Sequence, residues 1–335
     1  MPEGEPEKRP APEPDLPAKS AAGGLTAAFA KALVVLLGRE PGAGDRFGIA
    51  ASGGPDSMAL LDLMVATVPG QVEVATVDHG LRLEAAQEAA MVARWCADHA
   101  IPHATLRPSR PITGSVQAQA RTVRYALLDG WMAQRSLGWL LTAHHADDQL
   151  ETLLMRLNRA SGVAGLAGIR ARRGAVLRPL LGIRKAALER HVRERGIPYA
   201  TDPSNGDMRY DRARMRRDLG QVDWLDPVAA ARSAAALADA EAALEWSVDH
   251  LYAAHVRPQG DALVLATTAL PHEYLRRLLC RMLAALAPDM PEPRGEQIEQ
   301  AIIQLFHASK LSIGACVATG GAVWTVRRAP PRKAT

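Results

Sequence analysis

The chain has 335 residues, of which 48% are hydrophobic and only 4% aromatic, so aliphatic side chains and alanine must form most of the core. This length allows one large domain and a smaller one, and the formal net charge of +4 weakly favours a polyanionic partner. Cys96, Cys280 and Cys316 lie far apart without a C-x-x-C pair. This spacing argues against zinc, iron–sulfur and disulfide sites, and it fits a reducing cytoplasm.

The N-terminal segment, residues 1–24, is rich in Pro, Glu and Lys and has no apolar stretch of the kind that signal peptides carry. We predict a disordered tail here. Residues 25–38 are apolar, but the stretch is short and Lys31 interrupts it. It therefore predicts a helix that faces the core and no membrane span, and the protein is expected in the cytoplasm.

Short apolar runs alternate with helical patterns from residue 46 onward. Predicted strands cover residues 47–52, 72–80, 103–107, 138–145 and 175–181. Predicted helices begin at Pro55 and at Asp147 or Asp148, and others cover residues 84–100, 115–135 and 183–196. This alternation predicts an α/β fold with a parallel sheet covered by helices on both faces.

The pattern changes after about residue 220. Helical patterns cover residues 228–254, 273–287 and 296–308, and residues 312–328 predict a hairpin that turns at Gly-Gly. We therefore predict a first domain over residues 25–220 and a smaller, mostly helical domain over residues 221–330.

Three polar clusters follow predicted strands: SGGPDS, VDHGLR and AHHADDQLET. Ligands of open parallel sheets bind beyond the carboxyl ends of the strands. If their strands are neighbours, the three clusters share one crevice.

The first cluster predicts an anion-binding turn. Backbone N–H groups at the start of a helix bind anions, and glycine permits their close approach. The candidate ligands of a nucleotide phosphate are Ser52, Gly53, Gly54, Pro55 and Ser57. No Gly-Lys-Ser/Thr follows, so the turn is not a Walker A loop.

Asp56 lies in the middle of this turn, where it would repel phosphate unless a cation stands between them. A magnesium ion or a substrate ammonium group would serve. The alternative is that Asp56 only caps the helix and the glycines form a structural turn.

The third cluster places Asp147, Asp148 and Glu151 within one helical turn. Grouped carboxylates suit magnesium or an ammonium group, although Asp148 and Glu151 also resemble a capping box. His144 and His145 are weak candidates for zinc ligands, because no third ligand follows at a suitable spacing. The favoured alternative is that they contact the nucleotide or hold the loop.

Other polar residues have two readings each. Asp78 and His79 follow a strand, where Asp78 could accept a hydrogen bond from a ribose or form an ordinary turn. Arg121 and Arg124 could face phosphate or RNA, or could pair with surface acids.

Arginine is abundant between residues 156 and 217, and acids are fewer there. Such a basic face binds an RNA backbone, with an affinity that falls as salt rises, unless it is only a solvated surface. The run YDRARMRRDL contributes Arg212, Arg214 and Arg216.

The clusters together resemble a known family. Ser52-Gly-Gly-Pro-Asp-Ser57 matches the SGGxDS loop of the ATP-pyrophosphatase (PP-loop) superfamily. VDHGLR, ARTVRY, HHADDQLET, RPLL and DPSN then occur in the order found in bacterial tRNA(Ile)-lysidine synthetases, over about residues 45–220. The resemblance implies a Rossmann-like PP-loop domain. Ala213 departs from the family, which usually has asparagine there.

The resemblance also implies an activity. Such enzymes use ATP to adenylate the C2 oxygen of the wobble cytidine in a tRNA(Ile) precursor, and the ε-amino group of free lysine then displaces AMP. It implies that SGGPDS, Asp78 and His79 bind ATP and that Asp56 and Asp148 hold Mg²⁺. Asp56, Asp148 and Glu151 are the predicted catalytic residues. Arg121, Arg124, Arg212, Arg214 and Arg216 are the predicted contacts to tRNA or phosphate.

Three alternatives stay open at this point. A related tRNA thiolation enzyme would be expected to carry paired cysteines, and an amidating ligase such as a GMP or NAD synthetase would need a glutaminase. The third is an RNA-binding module without catalysis. The sequence leaves the oligomeric state open, with a homodimer as one candidate.

Overall fold

The computed structural model describes residues 18–80, 83–109, 116–201, 211–291 and 293–330. The first part of the predicted tail, up to residue 17, and the side chains of Arg212 and Ala213 lie outside the described residues. The chain divides into two compact units, Met1–Ala238 and Asp239–Thr335. The domain boundary near residue 220 stays a prediction.

The first unit contains a six-stranded sheet in the order β3-β2-β1-β4-β6-β5. Its strands are β1 (Phe47–Ala50), β2 (Val72–Val77), β3 (His103–Leu106), β4 (Trp139–Leu141), β5 (Arg172–Arg173) and β6 (Val176–Leu177). β1 pairs in parallel with β2 on one side and with β4 on the other, and only β5 runs antiparallel. The loops after β1 and β4 therefore meet where the strand order reverses, which is where such sheets bind ligands.

Helices cover both faces of this sheet, as the alternating sequence predicts. They are α1 (Ala18–Leu37), α2 (Pro55–Thr67), α3 (Leu83–Asp98), α4 (Val116–Arg135), α5 (Ala146–Leu157), α6 (Val163–Leu166), α7 (Lys185–Glu194) and α8 (Asp211–Leu219). Ile49 of β1 packs in a core with residues of α1, α2, α3 and α7. Ala50, the next residue, packs in a separate core with Leu128 and Trp131 of α4. Successive strand residues thus face opposite layers.

The apolar segment near the N-terminus forms α1, in which Phe29 and Leu33 are fully buried. The prediction of a core-facing helix is therefore confirmed, but the helix begins at Ala18, so residues 18–24 differ from the predicted disordered tail. Among the described residues, no helix has both the length and the apolar character required to span a membrane.

The second unit combines helices with an antiparallel sheet in the order β7-β8-β11-β10-β9. Its elements are β7 (Val256–Gln259), β8 (Ala262–Leu265), α10 (His272–Leu286), α11 (Gly295–Phe306), β9 (Lys310–Ile313), β10 (Cys316–Thr319) and β11 (Trp324–Arg328), and α9 (Pro227–His255) contains the boundary between the units. The predicted hairpin is confirmed as β10 and β11. The sequence did not indicate β7, β8 and β9. β7 contains Pro258 and lies at the edge of this sheet, where a proline is tolerated because no partner strand needs an N–H at that position.

Candidate active site

The glycine turn between β1 and α2 has the shape of an anion-binding loop. Gly53 has a φ of 85°, and a Cβ there would lie 3.3 Å from the Met91 Cε atom. A larger residue would therefore be strained at this position. The Ser57 hydroxyl donates to the Gly54 carbonyl at 2.9 Å and accepts from the Ser52 N–H at 3.2 Å. The turn is thus held by its own serine.

Asp56 does not cap α2. The N-cap is Gly54, without a side-chain cap, and the Asp56 Oδ1 atom is buried without a hydrogen-bond partner among the described residues. The Asp56 Oδ2 atom lies 3.5 Å from Nε2 of His145, in the loop that precedes α5. A buried carboxylate oxygen without a partner is costly unless a ligand satisfies it. The capping alternative is wrong, because Gly54 is the N-cap and no side chain in the described part of the chain caps this helix, and the cation-binding role of Asp56 stays a prediction.

A capping box begins α5, but its members differ from the predicted pair. His145 Nδ1 accepts the Asp148 N–H at 3.3 Å, and the Asp148 Oδ2 atom accepts the His145 N–H at 3.2 Å. The Asp147 Oδ2 atom lies 3.7 Å from His145 Nδ1 and accepts the Lys185 N–H at the start of α7, at 2.7 Å. Among the three grouped acids, Asp147 therefore serves the packing of two helices.

Arg216 of α8 lies against the other two acids. Its Nε donates to Glu151 Oε1 at 2.6 Å, and its Nη2 donates to Asp148 Oδ1 at 3.1 Å. Burial lowers the pKa of Arg216, but Glu151, Asp148 and Asp56 offset this and leave the pKa raised. The Glu151 and Asp148 carboxylates therefore already form a site that holds a cation.

Residues of the glycine turn, the start of α5 and α8 line one cavity of about 640 Å³, which we call the large cavity, but Asp147 and Glu151 are not among its lining residues. Its walls include Gly54, Asp56, His145, Asp148 and Arg216. A neighbouring small cavity of about 190 Å³ lies over the ends of β1 and β2 and shares Ser52 and Arg124 with it. The predicted convergence of the glycine turn and the third cluster is confirmed, because both line the large cavity.

Comparison with known proteins places these motifs in a family. Residues 27–222 match the PP-loop domain family. The tRNA(Ile)-lysidine synthase of Zymomonas mobilis is 41% identical over 297 residues, which cover 86% of this chain and 90% of that protein. The enzyme of the same name from Ruegeria pomeroyi is 42% identical over 288 residues, covering 82% of this chain and 69% of that one. This chain belongs to the tRNA(Ile)-lysidine synthase family.

A solved structure shows the same fold at greater distance. The U34-tRNA thiolase NcsA from Methanococcus maripaludis, solved with its [4Fe-4S] cluster, aligns with a TM-score of 0.54 and 14% identity. The alignment covers 65% of this chain and 79% of that one. At this identity the likeness concerns the fold alone. The α/β fold and the PP-loop resemblance predicted from the sequence are both confirmed.

Two of the three cysteines of this lysidine synthase family member are poorly suited to sulfur transfer. Cys96 is fully buried, and burial raises the pKa of its thiol to about 12. Cys316 is also buried, and burial raises its pKa too. A reactive thiol needs a lowered pKa. These two thiols therefore lack the activation that the thiolation alternative requires.

Asp78 and His79 occupy different positions at the end of β2. Asp78 accepts the Gly80 N–H at 2.9 Å and the Arg107 Nε at 3.0 Å, so it orders its own turn. His79 lines the small cavity. Its pKa is lowered mainly by burial and, to a smaller extent, by the positive charge of Arg124. The ATP contacts predicted for both residues stay predictions, and the geometry favours His79.

The predicted tRNA contacts have different surroundings, although Arg124 and Arg216 both line the large cavity. Arg124 is half-buried between the two cavities, whereas Arg121 is exposed and lies 5.3 Å from the Tyr125 ring. Arg214 lines a separate cavity of about 560 Å³ beside α5. The Arg216 guanidinium forms ion pairs with Asp148 and Glu151. The contacts of all four with tRNA or phosphate stay predictions.

Sequence reasoning did not select several residues of the large cavity. Lys185 and Arg193 belong to α7, which reads as a solvated charged helix, and Tyr199 follows it. His144 was considered only as a zinc ligand or a nucleotide contact. No spacing signal marks these residues, because α7 packs on α2 through contacts that are distant in sequence.

The lowered pKa of His144 predicts that the stability of the protein depends on pH. Burial lowers its pKa to about 4 from 6.5, with Asp148 opposing the shift and Arg178 adding to it. The unfolded chain thus binds a proton more readily, so the stabilisation is present above pH 6.5 and is lost as the pH falls toward 4.

Urea unfolding of the wild type and of His144→Gln across this range measures the effect. As the pH falls across this range, we expect the free energy of unfolding to decrease by on the order of 2 kcal/mol more in the wild type than in the variant. His145 titrates in both proteins and cancels in the difference. Parallel curves for the two proteins would contradict the assignment.

Proposed function

We infer that this chain is an ATP-dependent ligase that joins lysine to C2 of the wobble cytidine in a tRNA(Ile) with a CAU anticodon. Membership of the lysidine synthase family supports this activity. The observation that carries it is the large cavity, in which the glycine turn, Asp56 and Asp148 meet, while Glu151, which is not a lining residue, shares the Arg216 guanidinium with Asp148. This arrangement offers donors to phosphate and acceptors to cations within one space.

The first step adenylates the base. The cytidine C2 oxygen attacks the α-phosphorus of ATP, the bond to the β-phosphate breaks, and pyrophosphate leaves. The backbone of residues 52–57, the N-terminus of α2 and the Arg124 guanidinium supply the positive potential for this charge. We assign the small cavity, which Ala50 and Ala75 line, to the nucleoside of ATP.

Magnesium suits the acids that face the phosphates. No group of three or more metal-binding side chains occurs in the described part of the chain. Mg²⁺ in such sites uses one or two carboxylates and completes its shell with phosphate and water. Asp56 and Asp148 would hold it, since both carboxylates lie 3.5 Å from the same His145 nitrogen. The ion would neutralise charge on the departing pyrophosphate.

The second step transfers lysine. The ε-amino nitrogen attacks C2, the bond from C2 to oxygen breaks, AMP leaves with that oxygen, and the amine loses its protons. A carboxylate must first hold the ammonium group and then accept a proton. Glu151 with Asp148 suits this role, since the pair holds the Arg216 guanidinium in the structure.

The direct test combines the purified protein, ATP, magnesium, labelled lysine and a tRNA(Ile) transcript with a CAU anticodon. We expect label in the RNA, dependent on ATP, and none with a transcript whose wobble base is uridine. Modification that depends on a sulfur or ammonia donor and not on lysine would refute the proposal. Homodimer formation and a cytoplasmic location stay predictions.

Replacing Arg124 should affect ATP binding without lowering stability. No carboxylate pairs with this half-buried guanidinium among the described residues, and burial, the largest influence, lowers its pKa. We expect Arg124→Met to raise the KM for ATP by roughly tenfold or more, with the melting temperature unchanged or higher because an unpaired buried charge is removed. Steady-state kinetics and thermal unfolding measure the two effects. A lower melting temperature with an unchanged KM would show a structural role.

A further inference from the structure

His145 is the N-cap of α5, and its ring orientation is determined by the chain around it. The side chain is 4% exposed, and its Nδ1 atom accepts the Asp148 N–H at 3.3 Å. A nitrogen that accepts has no proton of its own, so the neutral ring carries its proton on Nε2. The capping contact therefore selects the tautomer.

The Nε2 atom faces two acids that come from different loops. Asp56 Oδ2 and Asp148 Oδ2 each lie 3.5 Å from it. Asp56 follows β1, whereas Asp148 follows β4. Within the described ranges no other side chain forms an ion pair with Asp56, and its buried Oδ1 atom accepts no hydrogen bond. The orientation of Asp56 thus depends on the histidine that caps the neighbouring helix.

We propose that His145 is a positioning residue that orients Asp56 toward Asp148, so that both carboxylates can hold one cation in the large cavity. This inference rests on the proposed function, in which that cation is magnesium or the lysine ammonium group. His145 acts through the two acids and needs no contact with substrate. Groups that orient metal-binding side chains in this way typically contribute 10–100-fold to affinity or activity, to an order of magnitude.

Two substitutions separate the capping contact from the contact with Asp56. Asparagine is a good N-cap residue and places an acceptor near the Nδ1 position, but it cannot reach the Nε2 position. Glutamine places an amide N–H near the Nε2 position and is a poor cap. His145→Asn should therefore keep the helix end and lose the contact with Asp56, and His145→Gln should do the opposite.

The control is His191→Asn. His191 is also buried and also contacts a carboxylate, Asp62, at 2.8 Å, but it lies outside the large cavity, on the side of α7 that faces α2. This variant measures what the loss of a buried histidine–aspartate pair costs the domain. We expect a lower melting temperature and an unchanged kcat per folded molecule.

The experiment measures tRNA-dependent ATP–pyrophosphate exchange, lysine transfer and thermal unfolding for each protein. We expect His145→Asn to lose about 10–100-fold in the kcat of both steps, with the KM for tRNA unchanged and the melting temperature within a few degrees of wild type. We expect His145→Gln to recover several-fold of the lost rate despite a lower melting temperature. A merely structural histidine would make activity follow stability.

Two outcomes would overturn the inference: wild-type rates in His145→Asn, or rates that rise and fall with the melting temperature across all three variants. Lysidine formation by the wild type tests the proposed function independently of the variants. If the wild type forms no lysidine, the proposed function fails, whatever the variants do. If the wild type forms lysidine and His145→Asn does so equally well, only the role of His145 fails.

Discussion

Replacing Asp56 with asparagine is expected to reduce lysidine formation on the order of 10³-fold while the protein stays folded. The asparagine amide has nearly the shape of the carboxylate but no charge, so it cannot hold a cation between the phosphates and the protein. The Asp56 Oδ1 atom is buried without a hydrogen-bond partner among the described residues. Removing its charge should therefore leave the melting temperature unchanged or raise it.

The measurement is a paired assay of labelled-lysine incorporation and thermal unfolding. Asp129→Asn is the matched control, because Asp129 is an exposed acid on α4 outside both cavities. We expect the control to retain wild-type activity and stability. If Asp56→Asn kept more than about a tenth of the wild-type rate, the cation-binding role of this acid would be wrong.

Replacing Arg216 with alanine should affect both stability and catalysis. Its guanidinium lies on Glu151, whose side chain is 5% exposed, so the variant removes a cation from contact with a buried carboxylate. We expect a loss of about 1–2 kcal/mol in the free energy of unfolding, less than for a fully buried pair because Arg216 is 37% exposed. We expect lysine transfer to fall by about 10–100-fold, because Glu151 and Asp148 lose the contact that orients them.

A double-mutant cycle with Glu151→Gln tests whether the two effects have one origin. The double variant should be less destabilised than the sum of the single variants, by about 1 kcal/mol. Arg217→Ala is the control from the next position of α8, where the guanidinium is 61% exposed and contacts only the neighbouring Asp218 in the described chain. Its effect on stability should stay within about 0.5 kcal/mol. Strictly additive effects would refute the coupling.

The first unit was predictable because its sequence signals are local. Parallel strands such as β1 and β4 are continuous apolar runs, and the helices between the strands have clear periodicity. The basic run that forms α8 has no apolar stripe, so its sequence suggested an RNA contact and not a helix. The strands of the second unit are four or five residues long and partly polar, and their pairing depends on distant segments.

The candidate site was predictable as a set of motifs but not as a set of contacts. Asp147, Asp148 and Glu151 are indistinguishable as acids on one helical turn. Only the structure shows that Asp147 receives an N–H of α7, while Glu151 and Asp148 receive the guanidinium of Arg216. His145 gave no strong signal, since a histidine at a helix start has many roles.

The sequence by itself determined the α/β architecture, the family and the position of the glycine turn, because strand periodicity, glycine turns and clustered acids are encoded within a few consecutive residues. The tertiary structure decided which acids bind a guanidinium and which one joins two helices. That choice depends on α7 and α8, which follow the motif by 30 residues or more along the printed sequence. Local patterns carry no information about such partners, whereas the ion pairs and hydrogen bonds that they form set the chemistry of the cavity.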